Sequence, residues 1–222
     1  MDVFKAIFER RSIRHYSEVP VEWDKIVKIL ESAVRAPSSG NVQNWRFIIV
    51  TDKELRKKLS EVSLQQYWMQ EAPVHIVVCS DNSLIKKLYG IRGEKLYSIQ
   101  NCAAAIQNML LTATALGLGT CWVGAFEEEA VARLLGIPSN VRIQAIITIG
   151  YPAEKPPKPR IFTLEDICYF EKYMNKIKDM DTVLWNFNVV GKTINATKHV
   201  GKTVIKKVGK HLQKLKQSIK KK

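Results

Sequence analysis

The sequence predicts a sheet protein of the α/β or α+β class, and three observations carry that prediction. Residues 45–50 (WRFIIV), 74–79 (VHIVVC) and 141–149 (VRIQAIITI) are short runs rich in β-branched residues, the signature of buried strands. Other segments place apolar residues three and four apart, as a helix with one buried face requires. The two kinds alternate along the chain, so helices cover a sheet. The alternation leaves strand order open.

Taken in order, residues 2–10 carry Val3, Phe4, Ile7 and Phe8 at helical spacing, with Asp2 available as a cap. Residues 22–35 repeat the pattern with Ile26, Val27, Leu30, Ala33 and Val34, and Ala36-Pro37 ends it. The strand at 45–50 comes next, then Asp52 caps a polar helix that runs to Val62. After the strand at 74–79, a long helix spans about 94–116 and is rich in small residues, including Ala103, Ala104 and Ala105. Gly117 and Gly119 break it. A short strand at 120–123, a helix at 127–135 and the strand at 141–149 complete the set. Four prolines between Pro152 and Pro159 require an extended surface loop.

At 222 residues the chain is long enough to bury a substantial core. Its four cysteines are widely spread with no C-x-x-C pair, and three sit in apolar runs, which suits a reducing cytoplasm rather than a disulfide framework. The N-terminal MDVFKAIFERR has charges where an export signal needs an apolar stretch. The longest apolar candidate, 102–118, is interrupted by Gln107 and Asn108, so no membrane span is expected. The formal charge of +14 is uneven: residues 175–222 hold 13 Lys against two Asp, a net of +11, which leaves +3 for residues 1–174. That contrast divides the chain into a domain of 1–174 and a basic extension of 175–222.

Three clusters bear on chemistry. Arg10, Arg11, Ser12 and Arg14 supply fixed cations and a hydroxyl, as do Lys158 and Arg160 farther on, and such groups suit a phosphate dianion. Pro37, Ser38, Ser39, Gly40 and Asn41 supply small side chains and exposed backbone, which lets a planar ring approach closely. Each cluster alone also fits a plainer role, the first as a solvated helix end and the second as a turn. Several sites are excluded. The stretch 117–124 lacks the G-x-G-x-x-G spacing and follows a helix, so it is no dinucleotide fingerprint. The Gly-Lys-Thr triplets at 191–193 and 201–203 lack the upstream glycine of a P-loop. The four His show no metal or nucleophile spacing, and His75 reads as a satisfied core residue.

Taken together and in order, residues 10–14, 37–45, 117–126 and 158–160 resemble the nitroreductase family of FMN-dependent oxidoreductases, over about residues 1–173. The resemblance implies an α+β fold with a central, mostly antiparallel sheet flanked by helices, and a homodimer with FMN at the subunit interface. It implies that Arg10, Arg11, Ser12 and Arg14 bind FMN, with Arg14 stabilising negative charge near N1 and O2. Pro37, Ser38, Ser39 and Asn41 match the loop that contacts the flavin, usually from the partner subunit. Gln66 resembles the amide at the pyrimidine edge, Val123 and Gly124 the backbone near N5, and Lys158 and Arg160 the phosphate pair. The implied activity passes electrons from NADH or NADPH to nitroaromatic, quinone or similar acceptors in ping-pong order, the chemistry lying at flavin N5 with no protein acid or base. The same scaffold also admits flavin-modifying, dehalogenating and heterocycle-oxidising members. Asn44 departs from the family, many of whose members have proline there.

The extension matches nothing in the family. Val200, Val204, Val208, Leu212, Leu215 and Ile219 share one helical face, with Lys202, Lys206, Lys210 and Lys214 opposite them. Such a basic amphipathic helix either lies peripherally on an anionic membrane surface or wraps a partner subunit. Nucleic acid is disfavoured, because the extension has only Trp185 and Phe187 for stacking and the rest of the chain is nearly neutral.

Overall fold

The computed structural model describes residues 1–176 in two units, one of Met1–Lys158 and one that begins at Pro159. The basic helix expected over 200–219 lies outside the described residues.

Four strands form the sheet of the first unit: β1 (Trp45–Val50), β2 (Val74–Asp81), β3 (Gly119–Val123) and β4 (Val141–Gly150), in the order β1-β2-β4-β3. Every neighbouring pair is antiparallel, with a bulge between Val78 and Cys79. Central strands β2 and β4 are buried on both faces, which explains their near-continuous apolar runs in an antiparallel setting. Alternate residues therefore serve two cores. Ile76, Val78, Ala145 and Ile147 pack with α2 (Trp23–Ala33) and α5 (Ser98–Ala115), through Ile26, Ile29, Ile106 and Met109. Val77, Cys79, Ile143 and Ile146 pack on the other side with Leu59 of α3 (Lys53–Val62) and Val131 of α6 (Glu128–Leu135).

The caps follow the sequence. Asp2 accepts a bond from Lys5 N at 3.0 Å to start α1 (Val3–Glu9), and Asp52 accepts one from Leu55 N at 2.8 Å to start α3. Gly136 closes α6 in the left-handed conformation at φ 67°. Helix α4 (Asn82–Arg92), kinked at Gly90 and followed by a π-helical turn at Gly93–Tyr97, was not among the expected elements. Of its apolar residues only Ile85 is buried, and Leu84, Leu88 and Ile91 are exposed. In the second unit a capping box between Thr163 and Asp166 starts the short α7 (Leu164–Ile167).

Helix α1 forms as expected but buries only Ala6. The apolar face that predicted it is outward, with Phe4 69% and Phe8 71% exposed.

The three cysteines in apolar runs, Cys79, Cys102 and Cys121, are buried and free. His75 is fully buried, and the expectation of a satisfied core residue holds for one ring nitrogen. Its Nε2–H donates to Met69 O at 2.8 Å, whereas Nδ1 has no partner. Burial pushes its pKa down to about 4, against a smaller opposing effect of the Met69 bond. The folded protein therefore refuses a proton that the unfolded chain accepts below about pH 6.5, and stability falls as pH drops from there towards 4. The expected loss from this group is on the order of 3 kcal/mol. Urea midpoints at pH 7 and pH 4.5 should differ less in His75→Gln, whose amide keeps the bond to Met69 but does not titrate.

Candidate functional site

The first group of expected residues gathers along β3. After α1 the chain straightens, and Ile13 N donates to Thr120 O at 2.9 Å, so residues 12–13 lie beside β3 as a short parallel addition to the sheet. The approach is close because residue 119 is glycine: a Cβ there would stand 2.8–3.0 Å from three Ile13 side-chain atoms. Tyr16, also buried, pins the far end by donating to Ile13 O at 2.6 Å and sharing a 2.7 Å bond with Thr148 Oγ1.

An extended segment with one strand neighbour leaves N–H groups without partners. Here carboxylates take them. Glu154 accepts from Arg14 N at 2.5 Å and His15 N at 3.1 Å, and Glu71 accepts from Tyr16 N at 3.1 Å. The Arg14 amide bond is the main reason the Glu154 carboxyl sits below its usual range. The Arg14 guanidinium is exposed and lies over Trp68, 5.7 Å from the ring centroid. The buried Cys121 thiol reports the local field. Burial raises its pKa, and Arg14, a bond from Ser12 and Arg10 pull the other way.

Arg11 behaves differently from its neighbours. Its Nη1 turns back to the carbonyls of Phe8 at 2.9 Å and Arg10 at 2.6 Å, capping the end of α1. It also lines a cavity of about 660 Å³ with Lys5, Lys155 and Lys158, floored by Ile13 and Leu118. Gln66 stands beside the turn that follows β3: its Nε2 donates to Ala125 O at 3.0 Å and Ser63 O at 2.9 Å. Val123 is buried at the end of β3, and Gly124 is exposed in that turn.

Pro37, Ser38, Ser39 and Asn41 are elsewhere. They precede β1, at the opposite edge of the sheet. Three strand spacings, about 14 Å, separate the two edges within one chain. The loop is tightly bent, with Gly40 at φ 55° and Asn41 at φ 56°. Arg160 belongs to the second unit, where it is exposed.

Sequence reasoning missed Glu154, Glu71 and Trp68. Glu154 sits among prolines 140 positions from Arg14, and no local pattern links them.

These donors are cations, hydroxyls and backbone amides, a set that fits a phosphorylated ligand with a polar ring edge. The model of the nitroreductase family matches residues 7–68 and 62–151. The chain belongs to the nitroreductase family. A protein of Archaeoglobus fulgidus with the provisional name NADH dehydrogenase/NAD(P)H nitroreductase is 40% identical over 158 residues, covering 69% of this chain and 87% of its own. A Bacillus subtilis FMN reductase, NAD(P)H, is 31% identical over 188 residues, covering 79% and 76%. The solved structure of B. megaterium NfrA2 superposes with a TM-score of 0.73 at 25% identity, covering 90% of this chain and 85% of that one. The nitroreductase fold expected from the sequence is thus the fold observed.

Gly119→Ala should push the 10–14 segment away from β3 and cost about 1–3 kcal/mol of stability. Thermal melting of the variant against the parent chain checks this.

Proposed function

We propose that this nitroreductase-family chain is an NAD(P)H-dependent FMN oxidoreductase that acts as a homodimer on nitroaromatic, quinone or similar acceptors. One observation carries the dimer: the two groups of expected ligands stand at opposite edges of one sheet, so a second copy must bring the 37–41 loop to the β3 edge. The outward apolar face of α1 supports the same reading, because four large apolar side chains on a seven-residue helix call for a cover. The relative named as an FMN reductase supports the cofactor.

FMN, when bound, supplies the electron transfer between nicotinamide and acceptor. The chain's residues position and polarise it. Arg10 and Ser12 would hold its phosphate, with Lys158 as a further cation. Arg14, fixed in height by Trp68 and at its own backbone by Glu154, would place a permanent positive charge where negative charge gathers near N1 and O2. Gln66 has its Nε2 committed to protein carbonyls, so its Oε1 is presented as an acceptor. The N–H groups after Val123 would face N5. Donor and acceptor would use one open face in turn, which gives ping-pong kinetics.

The purified protein should be yellow, release FMN at about one per chain, and elute as a dimer. A colourless protein that takes up no added FMN overturns the reading. Arg14→Ala should bind FMN more weakly and be reduced by NAD(P)H at least tenfold more slowly. Stopped-flow absorbance at the flavin band measures this, and unchanged values would remove the role given to Arg14.

A second reading concerns residues 175–222, whose sequence, with apolar and lysine positions at helical spacing, would suit peripheral contact with anionic membrane or wrapping of the partner subunit. Full-length protein should sediment with phosphatidylserine vesicles, and a chain stopped at Met174 should not. Equal sedimentation favours the extension wrapping the partner subunit.

A further inference from the structure

A row of buried amides and hydroxyls joins the 37–41 loop to the interior of the sheet. Ser39 N and Ser39 Oγ both donate to Asn101 Oδ1, at 3.0 and 3.2 Å. Asn101 Nδ2 donates to Asn44 Oδ1 at 2.7 Å. Asn44 Nδ2 then donates to Ser80 Oγ at 2.7 Å, and Ser80 Oγ to Asn82 Oδ1 at 2.6 Å. Asn101, Asn44 and Ser80 are 3%, 2% and 0% exposed, so water cannot stand in for a missing partner.

The row has one direction, and Ser39 sets it. A backbone N–H can only donate, so Asn101 must turn its oxygen to Ser39 and its NH₂ to Asn44. Asn44 must then accept there and donate to Ser80. Each amide orientation is fixed by the one before it.

The loop needs such a tie. Gly40 and Asn41 are consecutive left-handed residues, and Gln43 is a third at φ 50°. For the two that are not glycine this conformation costs about 1–2 kcal/mol each. The loop's own bonds close it on itself: Ser38 Oγ accepts from Gln43 N at 3.1 Å, Ser38 O from Asn41 N at 2.9 Å, and Gln43 Nε2 donates to Asn41 Oδ1 at 2.9 Å, and none of these ties it to the rest of the fold. Asn101 is what connects Ser39 to α5, and Asn44 connects Asn101 to the sheet.

The structure assigns Asn101, seated on Asn44, a positioning role: it fixes where Ser39 and the bent residues after it stand against the flavin. This rests on the FMN reading above. Asn101 lies beneath the loop and touches no cofactor itself, and its effect passes through Ser39.

The test titrates FMN into the full-length chain, followed by quenching of flavin fluorescence, with amide exchange at Ser39 read in parallel. Asn101→Leu keeps the branched shape but removes both bonds to Ser39. Its FMN Kd should rise about tenfold and its Ser39 amide should exchange faster. Asn101→Asp still accepts both bonds, and as the neutral acid that burial favours its hydroxyl donates to Asn44 Oδ1, so the row keeps its direction. Its Kd should stay within about threefold of the parent. A folded Asn101→Leu protein that melts lower but binds FMN as the parent does would make the residue merely structural and overturn the assignment. Should Asn101→Leu fail to fold, Ser80→Ala cuts the row two bonds deeper. An FMN Kd raised about threefold is expected there, and an unchanged one again overturns the assignment. Failure of the parent chain to take up FMN sinks the flavin reading as well, whereas uptake with equal Kd in the variants sinks only the role of Asn101.

Discussion

A sheet covered by helices on both faces can meet a ligand only at its edges and at the loops beyond its strand ends. This constraint governs the molecule. With β2 and β4 buried in the middle, every residue expected to hold a cofactor in the first unit lies along β3, in the segments beside it, or in the loop before β1. The order β1-β2-β4-β3 then places the 37–41 loop and the 10–14 segment as far apart as the sheet allows. On the proposed dimer, strand order, fixed by hydrophobic burial, would thereby give each chain two half-sites.

The cations of the 10–14 segment owe their place to unremarkable backbone needs. A stretch with one strand neighbour must find acceptors for its outward N–H groups, and Glu154 and Glu71 supply them. Acids beside arginines normally weaken an anion site. Here the carboxylates bond to the backbone, and the Arg14 guanidinium is drawn instead to the face of Trp68. The segment is thus held without its charged group being spent. Arg11 shows the contrasting outcome, since the same chemistry one turn earlier is consumed in capping α1.

Local rules made most elements legible. Asp2 and Asp52 cap where expected, Gly117 and Gly119 end the long helix, and the alternation in β2 divides into two faces. Helix α4 escaped because Gly90, at φ 57°, interrupts it near its end, and the role of Gly93 just after it is visible only in three dimensions: a Cβ there would stand 2.3 Å from Ile85 O. Gly119 read as a helix breaker, yet its larger role is to let Ile13 come close, a contact across more than a hundred residues. The segments that meet along β3 were legible as an ordered set of residues. Its supports were not, because Glu154, Trp68 and Asn101 act by proximity and carry no spacing that a linear reading can detect.

Helix α1 illustrates how a pattern can be right about structure and silent about context. Val3, Phe4, Ile7 and Phe8 do share one face, and the segment is a helix. Seven residues are too few to hold helical form alone, so the energy must come from packing. Among the described residues of α1 only Ala6 is buried, and Phe4 and Phe8 are exposed. Periodicity specifies that a face will be covered and leaves the cover unnamed. On the proposed dimer the same partner that completes the β3 half-site would also cover this stripe. The burial of α1 and the completion of the site would then be a single event, with assembly and cofactor binding coupled through residues 3–14.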